Sequence, residues 1–560
     1  MIPKILLVDD DNLVRASLEK VLKKKGYEVH SAVNAIEAIS LAAVKDFDLV
    51  ISDIRMPGEN GVIAVEKIKK IYKEKHHLSG FMFISGYAEE DTPAHAIRLG
   101  VDKFLFKPFD NEKFLEAIQE ELGLVEQARE LKSSPKQMPS ITVRKPGKPG
   151  ILRKRAVITG IGVVAPNGIG KEAYWKGLKE GKNGIDFITS FDYSSYPSKV
   201  AGEVRNFEPK LFVNDPHQVK RMGRSAHLAV AASKLALEDS GFNLSNGCPM
   251  DVILGSATSG LDYAEPEIRA LERGGVRKVK PFAGIAAFGG AISGEVARAV
   301  GANGANFTFS NGCTSATDAI GYALKQIQYG LSDIVIAGGA DACVTPAIVA
   351  AFCQMGAIST RNDKKASRPF NKDRDGFVIA EGGWMFILEE LEHALKRNAR
   401  IYGELIGYGA TCDAWHMSMP HPSGEYTARA IQLALADAGI EPHEVDVFEA
   451  YGNATPVNDS YETAIVKKVF GKHANKMVVP SVKSMLGHPI GAAGGQQLAA
   501  ALLALNHGFI HPTINYEVPD PECDLDYVPN VGREGSFSVA VCNSLAFGGK
   551  NAAIVVKKYR

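Results

Sequence analysis

Apolar positions along this chain follow two rhythms. Near the start, strand-type runs ("KILLVDDD", "FDLVISD", "GFMFIS", "DKFLFK") alternate with helical patterns such as "LVRASLEKVLKKKG". Such alternation predicts a parallel, doubly wound α/β sheet over residues 1–125. Residues 126–154, "QARELKSSPKQMPSITVRKPGKPGILRKR", lose the periodicity and become basic and rich in Pro, Gly and Ser. They read as a flexible or polyproline-prone linker. Residues 155–560 return to buried-type strands ("AVITGIGVV", "DIVIAGGA") among helical stretches, rich in Gly and Ala, without a fixed-period repeat. A chain of 560 residues exceeds what one core sustains, and length alone suggests about three domains, whereas the pattern divides it into two around the linker.

The first four runs end in chemistry. Ligands of a doubly wound sheet gather at the carboxyl ends of its strands, and that edge collects Asp9, Asp10, Asp53, Ser85 and Lys107. Three close carboxylates make a hard-oxygen site for Mg²⁺. A carboxylate beside Mg²⁺ accepts a phosphoryl group, while a lysine and a hydroxyl hold the phosphoryl oxygens. Any one of these acids alone would read as a solvated strand end. All five in this order closely resemble the receiver domain of two-component response regulators. The resemblance implies a flavodoxin-like fold with Asp53 as phospho-acceptor and Asp9, Asp10 and Asp53 around Mg²⁺. It further implies Ser85 and Lys107 as sensors, Phe104 as switch aromatic, and a sensor histidine kinase as partner. A receiver fold also persists in some proteins as a docking module.

In the second domain, "ANFTFSNGCTSATDAIGYALKQIQYG" is a strand, a small-residue turn and a helix, with Cys313 at the junction. A helix N-terminus brings positive dipole and free N–H groups to the sulfur, which favours thiolate and stabilises an acyl oxyanion. A lone cysteine before a helix is more often packing, so its context matters. "VPSVKSMLGHPIGAAGG" places Lys483 and His488 in a small-residue turn before a long apolar helix. "VAVCNSLAFGGKNAAIVV" is a strand, a Phe-Gly-Gly turn at Phe547 and a second strand, and "DRDGF" runs from Asp373 to Phe377. Together these motifs closely resemble the type II β-ketoacyl-acyl-carrier-protein synthases. That implies a thiolase fold of αβαβα layers in two similar halves, normally a homodimer, with a heterodimer as the variant. It implies acyl transfer to Cys313 from the phosphopantetheine of an acyl-carrier protein, His488 as one of two histidines polarising malonyl thioester, and Lys483 ordering the site. Phe547 would be the gate, its N–H joining that of Cys313 in the oxyanion hole. Asp413 and His416 match a family stretch beside the pocket and read equally as structural.

The resemblance departs at Tyr451. The family's loop reads His-Gly-Thr-x-Thr, whereas this chain has Tyr451-Gly452-Asn453-Ala454-Thr455. Three readings follow: Tyr451 replaces the histidine as donor and chains are elongated; the protein is a non-elongating acyltransferase; or it is a non-enzymatic acyl-chain sensor or scaffold. The small residues from 282 to 296 either admit a bulky chain or pack helices tightly at a dimer interface.

Charge and composition add exclusions. Lys+Arg and Asp+Glu number 64 each, so nothing attracts nucleic acid or anionic membrane. No apolar stretch reaches a membrane span, and the start runs into three acids unlike a signal peptide. Seven cysteines without a CxxC pair argue against zinc and disulfides and, with the rest, predict a cytoplasmic protein. Cys248, Cys343, Cys353, Cys412, Cys523 and Cys542 read as small apolar fillers. The GxGxxA match in "TGIGVVA" from Thr159 is read as the first strand and turn of the second domain. With no helix-turn-helix after the linker, the expected output of Asp53 phosphorylation is altered carrier-protein access or receiver docking.

Overall fold

The computed structural model describes residues 2–85, 101, 103–107, 109–133, 153–213, 215–243 and 249–559, and the chain forms two compact units, one on each side of the linker. In the first, strands β1 (Lys4–Val8), β2 (Glu28–Ala32), β3 (Leu49–Asp53), β4 (Gly80–Ser85) and β5 (Lys103–Phe106) form a sheet in the order β2-β1-β3-β4-β5. Every pairing is parallel. Alternate side chains face opposite ways along a strand, so Leu6, Val8 and Val50 pack under α2 (Ala35–Val44) and α3 (Gly61–Glu74). Ile5, Leu7 and Ile51 pack under α1 (Asn12–Lys24) and α4 (Asn111–Ser133). Asp11, Asn34 and Asn60 cap α1, α2 and α3 by accepting first-turn N–H bonds. Gly61 opens α3 where a Cβ would stand 1.8 Å from the Asp53 carbonyl oxygen, so only glycine lets that helix begin under the acidic edge. Helix α4 runs past residue 125 to Ser133, and Arg129 ties the extension back by donating to Asp48 and to the Leu78 carbonyl.

The second unit is built on strands β6 (Ala156–Ala165), β7 (Asp251–Gly255), β8 (Asn306–Phe309), β9 (Ile334–Ala342), β10 (Glu381–Glu390), β11 (Gly403–Cys412), β12 (Val447–Glu449), β13 (Val539–Ala546) and β14 (Lys550–Lys557). Their order is β8-β7-β9-β10-β6-β11-β14-β13-β12. Numbered within each half, the first five strands run 3-2-4-5-1. The second half mirrors them as 1-5-4-2, and its third strand is reduced to a parallel bridge between Val447 and Val478. Parallel and antiparallel pairings recur in the same places in both halves. The duplication lives in topology and not in sequence, which is why no repeat is legible.

Helix α5 (Arg224–Ser240) covers the first half from outside and α7 (Glu425–Ala438) covers the second. Between them α6 (Ser315–Gln328) and α8 (Ala493–His507) pack on each other and on strands of both halves. Every residue of α8 from Ala493 to Leu505 is buried, as a helix apolar on all sides must be when it fills a central layer. The architecture is the thiolase fold, with each central helix starting at the point where the candidate residues lie. The GxGxxA stretch lies wholly inside the buried strand β6, so no strand-to-helix turn follows its first glycine.

Candidate active site

Cys313 follows β8 on a tight turn, Gly312–Thr314, that runs into α6. Ser315 Oγ fastens that turn, accepting from Asn311 N–H at 2.8 Å and donating to the Gly312 carbonyl at 2.6 Å. Asp318, one helical turn on, accepts from Asn311 and Thr314 at 2.9 Å and from Tyr408 at 2.8 Å. His488 lies ahead of α8, and its N–H and carbonyl pair with Val378 and Ala380. Tyr451 leaves the end of β12. Its N–H and that of Gly452 donate at 2.8 and 2.9 Å to the buried carboxylate of Glu462. A Cβ at Gly452 (φ 34°) would meet Ser481 at 2.8 Å and Phe370 at 2.9 Å, so the sharp turn after Tyr451 requires glycine. The rest of the loop is gripped by Arg374, which donates to the carbonyls of Thr455 and Pro456 at 3.0 and 2.9 Å. The charged DRDGF motif therefore builds the Tyr451 loop.

These segments converge on one buried point. His488 Nε2 stands 3.2 Å from Cys313 Sγ and 3.1 Å from the Tyr451 hydroxyl. The Tyr451 hydroxyl and the Lys483 charge both favour the ionised form of the Cys313 thiol. Lys483 Nζ lies 4.8 Å from the centre of the Tyr451 ring, and no described residue accepts a hydrogen bond from it. Half-buried Phe547 stacks on Phe352, Phe352 meets Phe377 edge-on, and Phe377 meets the His488 ring edge-on at 5.2 Å. Phe547 thus stands at the end of an aromatic row that reaches the His488 imidazole.

In the first unit, the ligand atoms of Asp9, Asp10 and Asp53 lie within 4.8 Å of one another, and hard oxygen donors so placed suit Mg²⁺. Lys107 donates to Asp9 at 2.9 Å and to Asp53 at 2.5 Å. Burial raises the Asp9 pKa, and the Lys107 bond works against that rise. Burial works to lower the Lys107 pKa, but its bonds to Asp53 and Asp9 hold it above the ordinary value. Buried Ser85 ends β4. Phe104 falls on β5, and its side chain lies outside the described residues.

The comparisons with known proteins follow this division. The β-ketoacyl synthase N-terminal domain matches residues 153–394, the β-ketoacyl synthase C-terminal domain residues 402–517, and the response regulator receiver domain residues 5–119. The chain belongs to the β-ketoacyl synthase family. Its N-terminal unit is a receiver domain. The 3-oxoacyl-[acyl-carrier-protein] synthase 2 of Synechocystis sp. is 43% identical over 412 residues, 73% of this chain and 99% of that one. That of Coxiella burnetii is 42% identical over 72% and 99%. Among solved structures, the ishigamide ketosynthase/chain length factor is 36% identical, covering 73% of this chain and all (100%) of that one, with a TM-score of 0.68. A type II polyketide ketosynthase in complex with its acyl-carrier protein is 32% identical with the same coverage and TM-score of 0.68.

The electrostatics of the synthase site differ from the sequence expectation in one respect. Burial pushes the Cys313 thiol up to about 11, although the Tyr451 hydrogen bond and the Lys483 charge both work to lower it. The start of α6 therefore does not make a resting thiolate. Burial, and next the Lys483 charge, hold His488 well below the ordinary range, so it is a neutral imidazole fit to take the thiol proton during attack. Burial lowers Lys483 to about 8 and raises Glu462 to about 7.

Asp413 and His416 make structural bonds. Asp413 accepts from Asn551 at 2.7 Å and from His421 N–H at 2.9 Å, and it lines a cleft with Tyr451 and Phe547. His416 Nδ1 accepts two N–H groups of its own turn, from Ser418 and Met419. In the 282–296 stretch, Ile292 and Val296 pack inward under α5, while Phe282, Ile285 and Phe288 are exposed. Cys343, Cys353, Cys523 and Cys542 are buried fillers as expected, but Cys412 at the end of β11 is exposed, and Cys248 lies outside the described residues.

Glu462 and Gln497 escaped sequence reasoning, although a carboxylate and a glutamine on buried helix faces are visible anomalies. So did the buried pair of Glu449 and His511, 3.1 Å apart. Burial works to lower the His511 pKa, but Glu449 overrides it, and the net shift is upward. A raised folded-state pKa gives stability fully present below the unfolded value of about 6.5 and lost as pH climbs through the folded value. The melting-temperature difference between wild type and His511→Gln is therefore expected to shrink as pH rises from about 6 to about 9. A constant difference would show that the pair carries no charge.

Proposed function

We propose that this synthase elongates acyl chains with Tyr451 standing where the family has the first of its two catalytic histidines. The observation that carries this reading is the Tyr451 hydroxyl at 3.1 Å from His488 Nε2, the same nitrogen that stands 3.2 Å from Cys313 Sγ. Cys313 attacks the thioester of an acyl-carrier protein, its proton passing through neutral His488 to the departing pantetheine sulfur. Malonyl-carrier protein then loses carbon dioxide, and the enolate formed on its thioester oxygen is held by the Tyr451 hydroxyl and by His488 after its remaining proton has moved from Nδ1 to Nε2. Its carbon attacks the acyl-Cys313 carbonyl and expels the Cys313 sulfur, giving the 3-oxoacyl-carrier protein. Intact-protein mass spectrometry of Cys313 after loading, with carbon dioxide measured on adding malonyl-carrier protein, tests the scheme. An adduct that disappears with stoichiometric carbon dioxide supports it. An adduct that persists favours the non-elongating reading, which draws on one observation: the Tyr451 hydroxyl is already bonded to His488. A sensor would need none of the convergence of Cys313, His488 and Lys483.

The exposed edge strand β8 and the exposed Leu261, Ile268, Phe282, Ile285 and Phe288 support a homodimer through the synthase unit, which sedimentation at monomer mass would overturn. Asp53 is the phospho-acceptor for a sensor kinase in this reading, with Asp9, Asp10 and Asp53 holding Mg²⁺, which would neutralise incoming phosphoryl oxygens. Full-length protein carrying a beryllofluoride phosphoryl mimic is expected to transfer acyl groups at a changed rate, and Asp53→Asn to abolish the change. Equal rates with and without the mimic would remove regulation from the proposal.

A further inference from the structure

Gln497 is an amide buried within α8, and it bonds where β12 and β13 part company. The ladder between those strands ends at Glu449 and Cys542. Just beyond it, Gln497 Nε2 donates to the carbonyls of Glu449, Ala450 and Asn543 at 3.0, 2.9 and 2.8 Å. Ala450 immediately precedes Tyr451, and Asn543 lies on the strand that leads to the Phe547 turn. The other end of the amide is also committed. Gln497 Oε1 accepts from Ser544 at 3.3 Å, and Ser544 bonds Thr317 at 2.7 Å, one helical turn after Cys313 on α6. Asn543 closes the circuit by donating to Glu462 at 2.6 Å, the carboxylate that holds the N–H of Tyr451.

We infer that Gln497 is a positioning residue for the β-ketoacyl synthase reaction, holding the Tyr451 hydroxyl on His488, beside Cys313, by clamping together the strand ends that carry Tyr451 and Phe547. The side chain touches no reacting atom. A buried carbonyl must find a donor, and one Gln497 amide serves three carbonyls on the two strands at the fork, so it fixes how far the strands splay. A splay of about 1 Å is enough to take a phenolic hydroxyl out of hydrogen-bond range. The inference rests on the proposed role of Tyr451, but its test does not require condensation.

The test is alkylation of Cys313 by iodoacetamide in the full-length protein, read by mass spectrometry between about pH 6 and about pH 10. Tyr451→Phe removes a hydrogen bond that favours the thiolate, so its profile moves to higher pH and its rate near neutrality falls several-fold. Gln497→Met, of the same length and without the amide, is expected to move the profile the same way. The double variant is expected to match Tyr451→Phe, because the clamp has nothing left to position. A Gln497→Met protein that melts earlier yet keeps the wild-type profile would overturn the inference, as would shifts that add in full. Should Gln497→Met not fold, Ser544→Ala frees only the Oε1 end and is expected to give a smaller shift of the same sign, a wild-type profile again overturning the inference. Wild-type protein that loads without condensing would sink the elongation proposal while leaving this comparison intact.

Discussion

Cys313→Ala protein is expected to form no acyl adduct with any acyl-carrier protein and to release no 3-oxoacyl product. The Cys313 sulfur stands 3.2 Å from His488 Nε2 at the start of α6, and alanine leaves no thiol there for the imidazole to deprotonate. The loss should come without unfolding. Alanine fills most of the small buried site, and the turn around residue 313 is held by Ser315 and Asp318, which the substitution leaves alone. A melting temperature within a few degrees of wild type is the control, corresponding to about 1 kcal/mol or less. An adduct of normal yield on the alanine variant would move the nucleophile elsewhere and remove the basis of the proposed chemistry.

Tyr451→Phe separates loading from condensation. The ring that Lys483 overlies stays, and only the hydroxyl bonded to His488 goes. Transfer of the acyl group to Cys313 depends on the sulfur, the neutral imidazole and the oxyanion hole, so loading should slow several-fold at most. Decarboxylation develops negative charge on a thioester oxygen, and losing one preorganised donor there costs about 3 kcal/mol, on the order of 10²-fold in rate. Single-turnover loading and carbon dioxide release on the same preparations measure the split. Equal carbon dioxide rates for wild type and variant would mean that the hydroxyl is not the second donor. An equal loss in both steps would place Tyr451 in thiol activation and not in enolate stabilisation.

Several features were legible in the chain because the forces that fix them are local. Alternating βα periodicity set the receiver topology, and short runs ending in Asp9, Asp53, Ser85 and Lys107 put those residues at one sheet edge, since each follows its strand directly. The small-residue turn placed Cys313 at the start of a helix, and the motifs around Lys483, His488 and Phe547 carried the family resemblance that the comparisons bear out.

Other properties came only with the tertiary structure. That Cys313 and His488, 175 residues apart, share a hydrogen bond follows from the mirrored strand orders, which bring both central helices to one layer. The direction of the Cys313 shift was invisible for the same reason: a helix dipole can be read from neighbours in sequence, whereas burial depends on what the other half of the molecule packs over the sulfur. The reach of Tyr451 to both Cys313 and His488 needed the Glu462 and Gln497 clamps, each contributed by a distant helix. Periodicity determined the elements and which residues begin or end them. Desolvation and long-range hydrogen bonds, which act between segments far apart in the chain, decided how the side chains meet and what charge each carries.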